Sequence, residues 1–275
     1  MNMAAIPLNK QQLRPFFYPS LVRLGPPTDG GYVIPADQVS HCRQLISLGL
    51  CDNWKFDQEV LKLNPSISIV GVDHTVGPSF FISRIPLILF KICGYALLFN
   101  RAKVRKHLDR LHTSLEYFTF FGSVHQHLKK RVSASGNGPH EITLSAILDT
   151  AAKGTERDVL LKMDIEGSEY EVVPDIIRNQ ERIRCLVTEF HFLDERTEEF
   201  NQAIHSLGRD FSIIHVHGNN IAPYDKGNDF PVTIEISWVN KHILEGELAT
   251  STWSYPREGL DIPNTIARPD YELHF

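Results

Sequence analysis

Short apolar runs punctuate the chain at residues 45–48, 67–72, 115–121, 159–163, 185–189, 211–216 and 233–239. Each is strand length, and mixed or amphipathic segments long enough for helices separate most of them. Strands alternating with helices predict a parallel sheet built from right-handed crossovers. The last two runs are separated by HGNNIAPYDKGNDFP, a loop rather than a helix, so the seventh strand is expected to pair antiparallel with the sixth. The expected architecture is one α/β domain around a seven-stranded, mostly parallel sheet. It carries an N-terminal extension over residues 1–40, a helical insertion over 75–114 after the second strand and an irregular tail over 247–275.

With 275 residues, 42% hydrophobic and 22% charged, the chain can bury a large core. A net charge of −5 argues against a general nucleic-acid binder, which carries a basic surplus. Cys42, Cys51, Cys93 and Cys185 lack CxxC spacing and read as reduced thiols. MNMAAIPLNKQQLRPFFYP has no basic start followed by an unbroken apolar core, as a secretory signal would. Both features set the expectation of a cytoplasmic chain. No GxGxxG is present, which weakens a dinucleotide-binding reading.

The most informative stretch is DVLLKMDIEGSEYEVV, where an apolar strand runs into an acidic cluster and a glycine. It delivers Asp164, Glu166 and Glu169 to the carboxyl edge of the sheet, where open α/β sheets bind ligands. Three successive strand ends carry polar pairs two residues apart: Asp164 with Glu166, Glu189 with His191, and His215 with His217. Such pairs share one face of an extended chain, so all three are expected to converge, with Asn219 and Asn220 close behind. Asp73 ends the second strand, 24 residues after Gly49, and a carboxylate at that spacing can accept both hydroxyls of a ribose. DGGY at residues 29–32 precedes the first strand and reads either as a second wall of the pocket or as a plain hairpin turn.

LLKMDIEGSEYEVV resembles the signature of the FkbM family of S-adenosylmethionine (SAM) dependent methyltransferases: a hydrophobic strand, an acid, Glu-Gly, then Glu and an aromatic residue. RLGPPTDGGYVIP, LISLGLCDNWKFD, ITLSAILDT and VTEFH extend the likeness more loosely. The first loop departs from it, reading GLCDNW where most members carry a glycine-rich DxGxNxG type. The resemblance implies a class I, Rossmann-like methyltransferase fold. It makes Gly49, Asp52, Asn53, Asp73 and Asp164 cofactor contacts, with Gly122 and Ser123 near the adenine. The expected reaction is methyl transfer to a hydroxyl on a small molecule, glycan or lipid-linked acceptor. His191 is the leading base, beside Glu189, with Asp164 and Glu166 positioning the acceptor or the cofactor's cationic end. A divalent metal on Asp164, Glu189, His191 and His215 is an alternative that is not favoured.

FFISRIPLILFKICGYALLFNRAKVRKHLDRLH, within the insertion, places an apolar stretch beside a basic one. Arg84, Pro86 and Lys91 interrupt the apolar part, so it is not read as a membrane span. Its alternatives are a lid packed on the domain, a peripheral membrane contact through residues 80–110, or a lipophilic acceptor site. Two rival functions stand beside methyl transfer: a metal-dependent hydrolase using the acid and histidine cluster, and a non-catalytic membrane-associated scaffold.

Overall fold

The structure is a computed structural model describing residues 6–122, 124–151 and 156–275. Its central sheet has seven strands, here β1 (Gln44–Leu48), β2 (Ser68–Val72), β3 (Gln126–Leu128), β4 (Val159–Met163), β5 (Ile183–Phe190), β6 (Phe211–Gly218) and β7 (Ile234–Asn240). Their spatial order is β6-β7-β5-β4-β1-β2-β3. The pairs β3–β2, β2–β1, β1–β4 and β4–β5 are parallel, and β7 lies antiparallel between β5 and β6. The alternating layout and antiparallel last strand are those the apolar runs predict.

Side chains alternate across the strands, so each strand feeds two cores. Ile46, Leu48, Leu161 and Met163 face a core closed by Leu144–Ala151 (α4), Glu169–Arg178 (α5) and Thr197–Leu207 (α6). Leu45, Ile69, Leu160 and Val187 face the opposite core, under Lys55–Leu63 (α1) and a hairpin of Leu21–Leu24 with Tyr32–Pro35. Burying both faces explains why β1 and β4 are nearly continuous apolar runs.

One assignment is overturned. Residues 115–121 are not the third strand. After β2 the chain forms Pro78–Leu97 (α2) and Arg101–Phe120 (α3), and the third strand is the three-residue β3. LEYFTFF is rich in strand-favouring residues, yet His107, Ser114 and Tyr117 are buried at helical spacing, and that packing outweighs propensity. The insertion therefore runs to the end of α3, beyond residue 114. Phe81 stacks on Tyr117 with centroids 4.3 Å apart, and Tyr95 on His107 at 5.4 Å, so α2 and α3 form an antiparallel hairpin turning at residues 98–100.

Candidate active site

The parallel strands β1, β2 and β4 end together, and a cavity of about 620 Å³ opens at that edge. Its walls include Asp29, Gly30, Gly49 to Asn53, Asp73 to Thr75, Lys130 to Val132, Lys162 and Asp164. Gly49 has φ +80°, and a Cβ there would sit 1.6 Å from the Asp164 carbonyl oxygen. The first loop can therefore lie against the end of β4 only if residue 49 has no side chain.

Lys162 points into this junction from β4. Its Nζ donates to the Gly49 carbonyl at 2.7 Å and lies 3.7 Å from Asp164. A lone charge in a five-residue buried strand was the available sign of its role, and sequence reasoning passed over it. The DGGY turn forms a wall as well. Asp29 and Gly30 line the cavity, and Tyr32, fully buried, reaches beneath it.

Asp73 does something other than wait for a ribose. Its Oδ2 accepts from the Leu50 and Cys51 amides at 3.0 and 2.7 Å, and its Oδ1 accepts from the Thr75 amide and hydroxyl, both at 2.6 Å. Four donors fill a carboxylate's acceptor capacity, so Asp73 here ties the first loop to the second. Burial works against its charge, but these donors outweigh it and hold its pKa below the ordinary value.

Behind the cavity lies a cluster of acids. The Tyr32 hydroxyl sits 2.8 Å from Asp164 and 3.0 Å from Glu189. One phenol proton cannot serve two carboxylates. Glu189 is buried, and burial first, then the charges of Asp164 and Glu235, push its pKa well up. A protonated Glu189 donating to Tyr32, with Tyr32 donating to Asp164, satisfies both contacts.

His191 completes this group. Its Nδ1 lies 3.0 Å from Glu169, and its Nε2 faces Glu166, Glu189 and Asp164 at 3.6, 3.8 and 4.0 Å. Burial opposes its charge, yet the hydrogen bond and charge of Glu169 lead the opposing effects and raise its pKa to about 9. A raised pKa favours the imidazolium at neutral pH, which has no lone pair to accept a proton, and so counts against His191 as the base. Glu169 is fully buried, and its Oε1 also accepts from the Ile165 and Gly167 amides at 3.1 Å. It thus fixes the acidic turn and the histidine together.

The expected convergence of three strand-end pairs holds for two. His215 instead contacts Asp261 at 2.8 Å, and His217 lies between Glu235 at 3.1 Å and Asp270 at 3.0 Å. Asp261 and Asp270 belong to the C-terminal tail, so this third pair clamps the tail. The four-residue metal set with His215 is not assembled. Among the described residues, Asp164, Glu166 and His191 offer atoms within 4.8 Å of one another, as do Asp29, Glu189 and Glu235. The tail, expected only to be irregular, supplies Asn264, which donates to Asp29 at 3.1 Å and Glu235 at 2.7 Å. No periodicity or motif in the sequence marks that residue.

Gly122 follows a helix rather than a strand and is not among the residues lining the cavity, and Ser123 lies outside the described residues. The position after the real third strand belongs to Lys130, Arg131 and Val132, which do line it. Asp52 lines the rim and pairs with Arg84 of α2 at 2.9 Å; Asn53 lies beside Gly30. Trp54 turns away into an aromatic cluster with Phe81, Tyr117, Phe120 and Phe121 that anchors the base of the α2–α3 hairpin.

Comparison with known proteins finds similarity to a methyltransferase domain over part of the chain. None of the curated proteins searched matches the chain. Among solved structures, the precorrin-6y C5,15-methyltransferase of Geobacter metallireducens is similar at 12% identity and a TM-score of 0.36, over 75% of this chain and 87% of that one. The O-methyltransferase of Bacillus cereus in complex with SAH is similar at 7% identity and a TM-score of 0.34, over 74% and 76%. Residues 101–211 match the family model of the methyltransferase FkbM domain, a stretch that holds β3, β4, α5, β5, α6 and the acidic turn but not the Gly49 loop or Asp73. The match covers 111 of the 275 residues, so the similarity to the FkbM methyltransferase domain is one of that stretch.

Proposed function

We propose that the protein transfers a methyl group from SAM to an oxygen acceptor at the edge of β1, β2 and β4. The observation that carries the reading is the cavity itself. It pairs an apolar wall of Leu50, Phe56, Val72, Val132 and Ile165 with the carboxylates of Asp164 and Glu166. An apolar wall suits a purine, and carboxylates suit the sulfonium and ammonium of SAM. In the in-line displacement the acceptor oxygen bonds the methyl carbon as the carbon–sulfur bond breaks. S-adenosylhomocysteine leaves, and the hydroxyl proton passes to a base.

Asp164 is the base this arrangement favours. It accepts from the Tyr32 hydroxyl at 2.8 Å, and its side chain is 24% exposed at the cavity. His191, as imidazolium, holds Asp164 and Glu166 in place. The acceptor class, a hydroxyl on a small molecule, glycan or lipid, follows from the family resemblance and the acid-rich site.

Calorimetric titration with SAM and with S-adenosylhomocysteine tests the reading. Wild type is expected to bind both, and Asp164→Asn to lose roughly tenfold or more for SAM but much less for the product, which lacks the sulfonium charge. No binding of either ligand by wild type would sink it. A second reading, a divalent cation on Asp164, Glu166 and His191, is favoured by Glu169, which orients the histidine from behind. A metal requires a deprotonated Nε2. Titrations unchanged by chelator and by added magnesium or manganese would dismiss it.

A further inference from the structure

The α2–α3 hairpin is built unlike the rest of the molecule. α2 is 20 residues long, with a mean hydropathy of 1.6 over its most apolar window, yet only 11% of that window is buried. Ile82, Pro86, Leu89, Phe90, Cys93 and Leu97 are all exposed and recur at helical spacing, so they form one apolar stripe. The stripe runs into the turn, where Leu97 is 80%, Leu98 74% and Phe99 91% exposed. Isolated exposed apolar side chains are ordinary, but a continuous stripe ending in an apolar tip marks an interaction surface.

Charge identifies what the surface meets. Pro78–Leu97 and Arg101–Phe120 together carry seven Lys and Arg against Asp109 and Glu116. The hairpin is therefore +5 in a chain of −5, and the remainder is −10. Arg101, Lys103, Arg105, Lys106 and Arg110 are exposed within the first ten residues of α3, directly after the apolar tip. Phe81 at the base and Leu97 at the tip are sixteen helical residues apart, so the tip stands about 24 Å out from the aromatic cluster.

We propose that this hairpin docks the protein on an anionic bilayer, with Leu97 to Phe99 and the α2 stripe in the interface and the basic residues of α3 at the headgroups. An apolar face beside a cationic one is what a helix needs to lie at such a surface. A second copy fits less well, because it would set +5 against +5. α2 does not cross the bilayer, because α3 returns antiparallel to it and would carry its five basic residues through the hydrocarbon. The proposal is independent of the methyl-transfer reading.

Cosedimentation of the full chain with phosphatidylcholine vesicles, with and without phosphatidylserine, is the test. Binding is expected only with phosphatidylserine and to weaken with salt. Each neutralised basic residue is expected to cost about fivefold, so Arg101→Gln/Lys103→Gln/Arg105→Gln weakens binding by roughly 100-fold. Leu97→Ser/Leu98→Ser/Phe99→Ser is expected to abolish it, with circular dichroism and SAM titration unchanged in both variants. Should either variant fail to fold, a fluorophore on Leu98→Cys, with Cys51 and Cys93 replaced by serine, is expected to shift to the blue on those vesicles alone. Indifference of the wild type to phosphatidylserine vesicles, full binding by both triple variants, or a dimer that only the serine variant disrupts would each overturn the proposal.

Discussion

Gly49 tolerates no side chain. Its φ of +80° is open to few other residues, and the Asp164 carbonyl occupies the space of any Cβ. Gly49→Ala is expected to cost about 3 kcal/mol or more, read from urea unfolding, because the first loop and the end of β4 must move apart; an unchanged midpoint would refute the packing argument. This glycine was legible in the sequence, since an apolar strand ending in glycine has few other uses. The state of His191 was not, because it depends on Glu169 and on acids that three other positions bring beside the ring. Its pKa of about 9 in the fold, against an ordinary 6.5, makes its proton stabilising. That contribution, at most ~3 kcal/mol, is fully present below pH 6.5 and lost as pH rises through about 9. The ring resonances are expected to titrate near that value in metal-free protein, and His191→Gln to flatten the fall in stability between neutral and alkaline pH. A midpoint near 6.5 would restore the histidine as a base.

Among the elements, the strands that the sequence revealed are those buried on both faces. β1, β4, β5, β6 and β7 are almost wholly buried and show as mainly apolar runs broken by polar residues. β3 was invisible because it is a three-residue edge strand, Gln-His-Leu, with only one neighbour to pack on. The aromatic run at the end of α3 resembles a strand because its rings serve a cluster instead of a helix face. That cluster joins the hairpin to the first loop through Trp54, whose ring lies 5.7 Å from Phe81 and 6.0 Å from Tyr117. Trp54→Ala is expected to cost about 3–5 kcal/mol, and the cavity it leaves lies at the hairpin base. Hydrogen exchange should then quicken across α2, α3 and residues 49–54 while β4 and β5 stay protected. Equal loosening everywhere would mean that the hairpin is part of the main cooperative unit and not an appendage held by its aromatic base.

At the scale of the whole molecule, the tail is a structural part of the site. Its composition, rich in proline and turn formers, describes a chain without regular elements and gives no hint of where its side chains go. They go to the acids. Asn264 is 3% exposed, and its amide holds Asp29 of the cavity wall and Glu235 of β7 together, while Asn219 holds Asp29 and Glu189. Burial already raises the pKa of Asp29, and the nearby charges of Glu235 and Asp164 add to it. Asn264→Leu therefore removes the donor that bridges the two carboxylates, leaving Asp29 to Asn219 and Glu235 to His217, at a cost of about 3 kcal/mol near neutral pH. Without that donor Asp29, already raised by burial, is pushed further up, so its protonation relieves the repulsion, and the penalty is expected to shrink as pH falls from neutral into the acid range. Asn264→Asp should be worse at neutral pH, since it adds a third charge, and should recover more on acidification. Ile266→Ser, two residues on at a side chain 92% exposed, is the control and is expected to change nothing. Thermal melts of the three variants at neutral and at acid pH decide the matter. A penalty for Asn264→Leu that is the same at both would mean that the tail acts through packing alone and that the acid cluster holds itself together without it.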